Sequence, residues 1–164
     1  MLKIRLLQPD DSIPEITRLL HRAYSRLGGM GLNYTAVDQT PEVTSRRIAD
    51  GHCLIAEWAG KLAGTVVATP TYATNQCEYF TRLGVASAHQ FAVEPSFQGK
   101  GIGRALLAAC EEWAAQQAFR ELAIDTAEQA SHLIALYARL GYRHVGYVQW
   151  SGKVYRSVVL SKAL

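Results

Sequence analysis

The stretch VEPSFQGKGIGRALLAACEEW, residues 93–113, sets glycines at 99, 101 and 103 directly against an apolar helical pattern. Glycine lets a ligand approach the main chain closely. The start of a helix offers unpaired N–H groups and the positive end of the aligned peptide dipoles. Together these features make an anion site, most often for phosphate. The spacing narrows the choice of anion. A triphosphate loop of the GxxxxGK[ST] kind needs Ser or Thr after its lysine, and here Lys100 is followed by Gly101. A dinucleotide loop needs GxGxxG early in a βαβ unit, whereas this chain has GxGxG, deep in the sequence and after a hairpin pattern. A tight turn whose glycines serve packing alone is the plain alternative.

A second candidate lies just upstream. In AHQFAV, strand alternation would place His89, Phe91 and Val93 on one face. An imidazole titrates at about 6.5 when unperturbed, which suits His89 to accept a proton. A hydrogen-bonded structural histidine is the other reading. Glu94, before Pro95, is a further candidate base, with a solvated loop residue as its alternative. Cys53, Cys77 and Cys110 are odd in number, far apart and free of any CxxC pairing, so no disulfide framework, zinc site or other metal is expected. Cys53 and Cys110 fall in apolar patterns and read as core, while Cys77 falls in a connector.

These residues need a scaffold, and 164 residues with 49% hydrophobic and 19% charged content suit one α/β domain over residues 1–164. The net charge of +3 is spread along the chain, which argues against a nucleic-acid surface. No apolar run is long enough to cross a bilayer, and MLKIRLLQPDDS lacks a signal-peptide pattern, so a cytoplasmic protein without a membrane partner is expected. The elements read as β-α-α-β-β-β-α-β-α-β-β. A strand at LKIRLLQP precedes a helix over 11–29, capped by Ser12, boxed by Glu15 and stopped by Gly28 and Gly29. A connector follows, then a short helix capped by Thr40. HCLIAEW and LAGTVVATPTY form a hairpin, and a long connector over 73–85 borders the AHQFAV strand. The glycine loop and its helix come next. ELAIDTA is a strand, EQASHLIALYARL a helix, and two strands close the chain.

QGKGIG, residues 98–103, resembles the Q/R-x-x-G-x-G/A signature of the GCN5-related N-acetyltransferase superfamily. ALYARLGYRHVG, residues 135–146, resembles its later LYxxxGF segment, and LIAEWAGKLAGTVV its central hairpin. The likeness covers nearly the whole chain. It implies a mixed, mostly antiparallel sheet of about seven strands flanked by about four helices and splayed at its centre. It implies acetyl-CoA as acyl donor, with the amides of Gln98, Gly99, Lys100, Gly101, Ile102, Gly103 and Arg104 around the pyrophosphate. The pantetheine arm would pair with the backbone of Phe91, Ala92 and Val93, and the Val93 N–H would be an oxyanion donor. Tyr137 matches the family tyrosine near the coenzyme A sulfur, a general acid, although its apolar helical stripe also suits a core residue. Seven residues before it, where the family often has asparagine, stands Ala130, with Ser131 beside it as a substitute contact.

The family implies an amine acceptor. Its pocket is expected from the irregular segments: Asn33, Tyr34 and Asp38 with Glu42, then Tyr79 and Phe80, and Trp150. Each of these is also readable as an ordinary surface or packing residue. The acceptor would be a primary amine of a small molecule or peptide. A non-catalytic acyl-CoA sensor on the same fold would keep the glycine loop without needing His89 or Tyr137. A nucleotide-binding domain would bind ATP in place of coenzyme A. The terminal strands offer edges for a homodimer.

Overall fold

The computed structural model describes residues 1–164 as one seven-stranded sheet between two helical layers. The elements are β1 (Leu2–Leu6), α1 (Ile13–Gly29), α2 (Thr35–Asp38), α3 (Pro41–Ala49), β2 (His52–Trp58), β3 (Lys61–Thr69), β4 (Val85–Val93), α4 (Ile102–Gln116), β5 (Glu121–Ala127), α5 (Ser131–Arg139), β6 (Arg143–Val148) and β7 (Ser157–Ala163). The strand order is β1-β2-β3-β4-β5-β7-β6. Only β4 and β5 run parallel.

Local sequence signals explain most boundaries, and two are corrected. Ser12 caps α1 by accepting the Glu15 N–H at 3.2 Å. The Glu15 carboxylate pairs with Arg18 instead of returning to Ser12, so half of the expected capping box forms. Gly28 and Gly29 do not stop the helix; they lie inside it. The stop is Gly31 at φ +83°, where Gly31 N–H donates to Gly28 C=O and Leu32 N–H to Leu27 C=O. That pairing satisfies the last carbonyls of the helix. Thr40 caps α3 as expected. A fifth helix, α2, is a single turn inside the connector.

The larger core lies between the sheet and α4 and α5, where Ile102, Leu106, Leu107, Cys110 and Tyr137 meet Val66, Ala68, Ala88, Leu122 and Ile124. The opposite face is covered by α1, through Ile16, Leu19 and Leu20 on Cys53, Ile55 and Val67. Farther along that face, Phe80 and Cys77 from the long connector pack on Val85, Ala123 and Val159. All three cysteines are buried and free.

Two irregularities at the centre shape the site. The β4–β5 ladder holds only Val85–Ser87 against Glu121–Ala123, after which the strands part. Opposite β3, His89 pairs with Val67 and Ala92 with Thr65, so Gln90 and Phe91 together face the single residue Val66. Gln90 takes φ +49°, a left-handed conformation uncommon for a residue with a side chain. This bulge overturns the alternation expected for the strand. Val67, the partner of His89, lies in the α1-side core, whereas Phe91 and Val93 pack in the α4-side core. His89 therefore points to the face opposite Phe91 and Val93. The C-terminal strand β7 is interior, between β5 and β6, so of the terminal strands only β1 presents an edge.

Candidate active site

The glycine loop turns into α4 through two left-handed residues, Gly99 at φ +78° and Gly101 at φ +80°. A Cβ built at either would meet nothing within 4 Å, so the space in front of them is open. Gly103 has a different reason: its Cβ would come within 3.2 Å of the Phe91 ring, and its absence lets α4 lie close to β4. The N–H groups of residues 99–104 donate to no group in the protein, and no side chain caps α4. Six amides are thus left without partners at the positive end of a 15-residue helix, five of their residues lining one cavity. Arg104 and Arg139 line the same cavity, and neither forms an ion pair.

The splay supplies free backbone to the neighbouring stretch. Glu94 N–H donates to Ala63 C=O at 2.8 Å, so on the same strand Ala92 also faces β3. The peptide groups of Val93 and Phe91 then face away from β3, across the gap toward β5. Tyr24 O–H already donates to Phe91 C=O at 2.8 Å. The same alternation turns the Val93 N–H into the gap, where β5 no longer pairs with β4.

One cavity of ≈ 1240 Å³ links these features and passes through the splay to the α1 face. Phe91, Val93, Gln98, Gly99, Gly101, Ile102, Gly103, Arg104 and Tyr137 line its α4 side, and Ala92, His89, Tyr34 and Trp150 its other side. Tyr137 is 4% exposed and its ring lies 6.3 Å from that of Phe91. Burial raises its pKa well above the ordinary value, with neighbouring tyrosines adding to the effect. The hydroxyl is therefore protonated at all physiological pH values.

Several expected residues stand elsewhere. Lys100 is exposed, its Nζ 5.3 Å from the Trp58 ring centre, and Ser131 is exposed at the start of α5, so neither side chain lines the cavity. Ala130, at the family's asparagine position, is fully buried beside Leu27 and Tyr155. Asp38 and Glu42 are exposed outside the cavity. Tyr79 donates to Glu121, with Arg82 stacked over its ring, and Phe80 is 0% exposed in the connector core. Asn33 holds the Gly152–Val154 turn through its amide. Glu94 is bound by Arg22 at 2.6 Å.

His89 is enclosed by Tyr72 and Phe80 in edge-to-face contacts and shares a 2.7 Å hydrogen bond with Ser87 Oγ. Burial, with a smaller contribution from the Arg47 charge, pushes its pKa down to about 3. Between about 3 and the unfolded value of about 6.5, the unfolded chain binds more protons at this site than the folded chain. Stability is then lost as pH falls through that window. His89→Gln is expected to recover on the order of 2 kcal/mol at pH 4.5 relative to its effect at pH 7, read by urea unfolding at both pH values.

Sequence reasoning picked out Tyr34, Trp150 and His89 on the α1 side and missed Asp125, Arg47 and Tyr72. Asp125 sits on β5 just beyond the splay, accepting from Trp150 Nε1 at 2.8 Å. Burial raises its pKa, opposed by that hydrogen bond and by the Arg47 charge. Tyr34 O–H lies 2.7 Å from Thr126 Oγ1, accepts the Ala127 N–H at 2.8 Å, and stacks on Tyr155 at 5.0 Å. Tyr72 and Arg47 complete the wall. Asp125 left a signal, a lone charge within the apolar strand ELAIDTA. Arg47 left none among the ordinary charges of SRRIAD.

The profile of the Acetyltransferase (GNAT) family matches residues 13–142. The chain belongs to this family. A curated relative, S-(2-succino)cysteine N-acetyltransferase of Bacillus subtilis (strain 168), is 27% identical over 152 residues, covering 92% of this chain and 89% of the relative. Two solved acetyltransferase structures share the fold. The ribosomal-protein-S18-alanine N-acetyltransferase from Escherichia coli is 17% identical with a TM-score of 0.74, covering 99% of this chain and 94% of that one. A GNAT family acetyltransferase from Elizabethkingia anophelis with acetyl-CoA bound is 19% identical with a TM-score of 0.71, covering 99% and 98%. The glycine loop of this GNAT chain lies within the matched segment, as do Arg47, Asp125 and Tyr137.

Proposed function

We propose that this GNAT protein transfers an acetyl group from acetyl-CoA directly to a primary amine of a small molecule or peptide. The observation that carries the reading is the run of unpaired amides at residues 99–104, opening on the cavity that also holds Val93 and Tyr137. The residues fit a pyrophosphate: Gly99 and Gly101 leave its space clear, and Arg104 and Arg139 add positive charge. Bound there, acetyl-CoA supplies an activated acetyl carbon on which a C–N bond forms as the C–S bond breaks.

The chain's own groups then have distinct tasks. The Val93 N–H, which the strand alternation turns into the splay, donates to the carbonyl oxygen as negative charge gathers on it. Tyr137 O–H donates to the departing sulfur. An alkyl amine is mostly protonated at neutral pH and must lose a proton to attack. With its pKa at about 3, His89 is a weak acceptor for that proton. Asp125, whose pKa burial raises, is better matched to the task. His89 instead forms a neutral wall of the acceptor side.

A primary-amine library screened for free-thiol release tests the reading. Acetyl-CoA with a matching amine is expected to release thiol in proportion to enzyme. Saturable acetyl-CoA binding with no release from any amine would favour the sensor role.

A further inference from the structure

The acceptor side of the cavity carries an electrostatic pattern that amine transfer alone does not require. Asp125 is the one carboxylate among the cavity residues. Arg47 projects into the same space from the last turn of α3 and forms no ion pair. Its one hydrogen bond runs from Nη1 to Gln39 Oε1 at 2.8 Å. Gln39 is itself fixed: its Nε2 donates to Gln90 Oε1 at 2.5 Å and to Thr44 Oγ1 at 2.7 Å. The guanidinium is thus positioned through Gln39 by the bulge residue of β4, and its remaining donors have no acceptor in the protein while the residue lines the cavity. Burial lowers the Arg47 pKa, the mark of a cation removed from water without a contacting counter-charge. Such a charge is costly unless an anion joins it. Asp125 acts on Arg47 only through space, since the two groups are not within ion-pair distance. Lys153, held on Asn33 C=O at 2.7 Å, is a further cation in the cavity wall, as are Arg26 and the Glu94-paired Arg22 of α1.

A guanidinium with free, forked donors is matched to a carboxylate, and it stands across a cavity from a carboxylate matched to an ammonium. Resting on the acetyl-transfer reading, we infer that the acceptor is a zwitterionic α-amino acid. Its carboxylate is bound by Arg47 and its amino group is presented to Asp125. The tyrosine and Trp150 walls take the side chain. Arg47 binds substrate and has no part in the bond-making step, so its loss acts on substrate affinity more than on turnover.

The test compares free amino acids with their carboxamides and their decarboxylated amines, using thiol release for kinetics and calorimetry for binding. Wild-type protein is expected to prefer the free acid over its amide by at least roughly 10²-fold in kcat/KM. Arg47→Gln should erase that preference mainly through KM, and Arg47→Lys should restore part of it. Acetyl-CoA affinity should be unchanged in both variants, which also shows that they fold. Equal use of acid, amide and amine by wild type would overturn the inference while leaving acetyl transfer intact. So would an unaltered preference in Arg47→Gln. Failure of wild type to bind acetyl-CoA would remove the acetyl-transfer reading instead. Calorimetric titration of the amino acids alone, with Arg47→Gln as control, then decides the Arg47 site: no Arg47-dependent binding would overturn it.

Discussion

Gly101→Asp is expected to weaken acetyl-CoA binding by roughly 10²-fold or more while leaving the fold intact. The reasoning separates the effect on the helix from the effect on the ligand. Gly101 has φ +80°, and aspartate tolerates left-handed backbone better than most residues. A negative charge at the start of α4 also interacts favourably with the helix dipole, by about 0.3–1 kcal/mol. These terms offset the conformational cost, and a Cβ there meets no neighbour within 4 Å. The bound anion feels the opposite. Aspartate would occupy the open space before the amides, donate nothing, and repel a pyrophosphate. Losing two charge-assisted hydrogen bonds at about 1.5–3 kcal/mol each is enough for the stated loss. Calorimetry with acetyl-CoA and a thermal melt check both halves. A variant that melts like wild type and binds as well would show that the ligand does not use this loop.

Tyr137→Phe should lower kcat by roughly 10²-fold with little change in acetyl-CoA affinity, within the range seen for positioned proton donors. Its raised pKa makes complete proton transfer to sulfur costly, so its first service is a hydrogen bond to the developing thiolate. Two consequences follow. The kcat profile should carry no alkaline limb from Tyr137 below pH 9, because the hydroxyl stays protonated there. The penalty of Tyr137→Phe should shrink for an acyl donor whose leaving thiol is more acidic. Steady-state kinetics across pH, with two thioesters, measure both. Unchanged kcat in the variant would leave Tyr137 as core packing, beside Phe91 and Tyr142.

The parts of the molecule legible in the sequence were those governed by short-range rules. Ser12 and Thr40 announced helix starts, and ELAIDTA matched β5 residue for residue. The glycine loop was readable because only a few chemistries need alternating glycines before a helix. On the α1 side of the cavity Tyr34, Trp150 and His89 were picked out, but Asp125, Arg47 and the way these groups meet were not readable, for a definite reason. That side is assembled from α1, α2, α3, the β3–β4 connector, β4, β5 and the 150–155 loop, whose juxtaposition depends on the splay and on one bulge. Gln90 is the clearest case. Nothing in AHQFAV announces a left-handed glutamine, yet it turns His89 away from Val93 and anchors Gln39 beneath Arg47. Tyr79 and Phe80 misled because aromatic residues in a connector suit either a pocket or a small core, and here they seal the core over β5 and β7. Asp38 misled because a surface carboxylate on a loop looks the same in sequence as one in a pocket.

The central claim is that the free amides at the start of α4, with that of Val93, receive acetyl-CoA. Backbone amide resonances of ¹⁵N-labelled protein, followed during titration with acetyl-CoA, test it most directly. The predicted result is saturable binding, with the largest shifts at the amides of residues 99–104 and at Val93. Binding that leaves those amides unmoved, or no saturable binding, would contradict it.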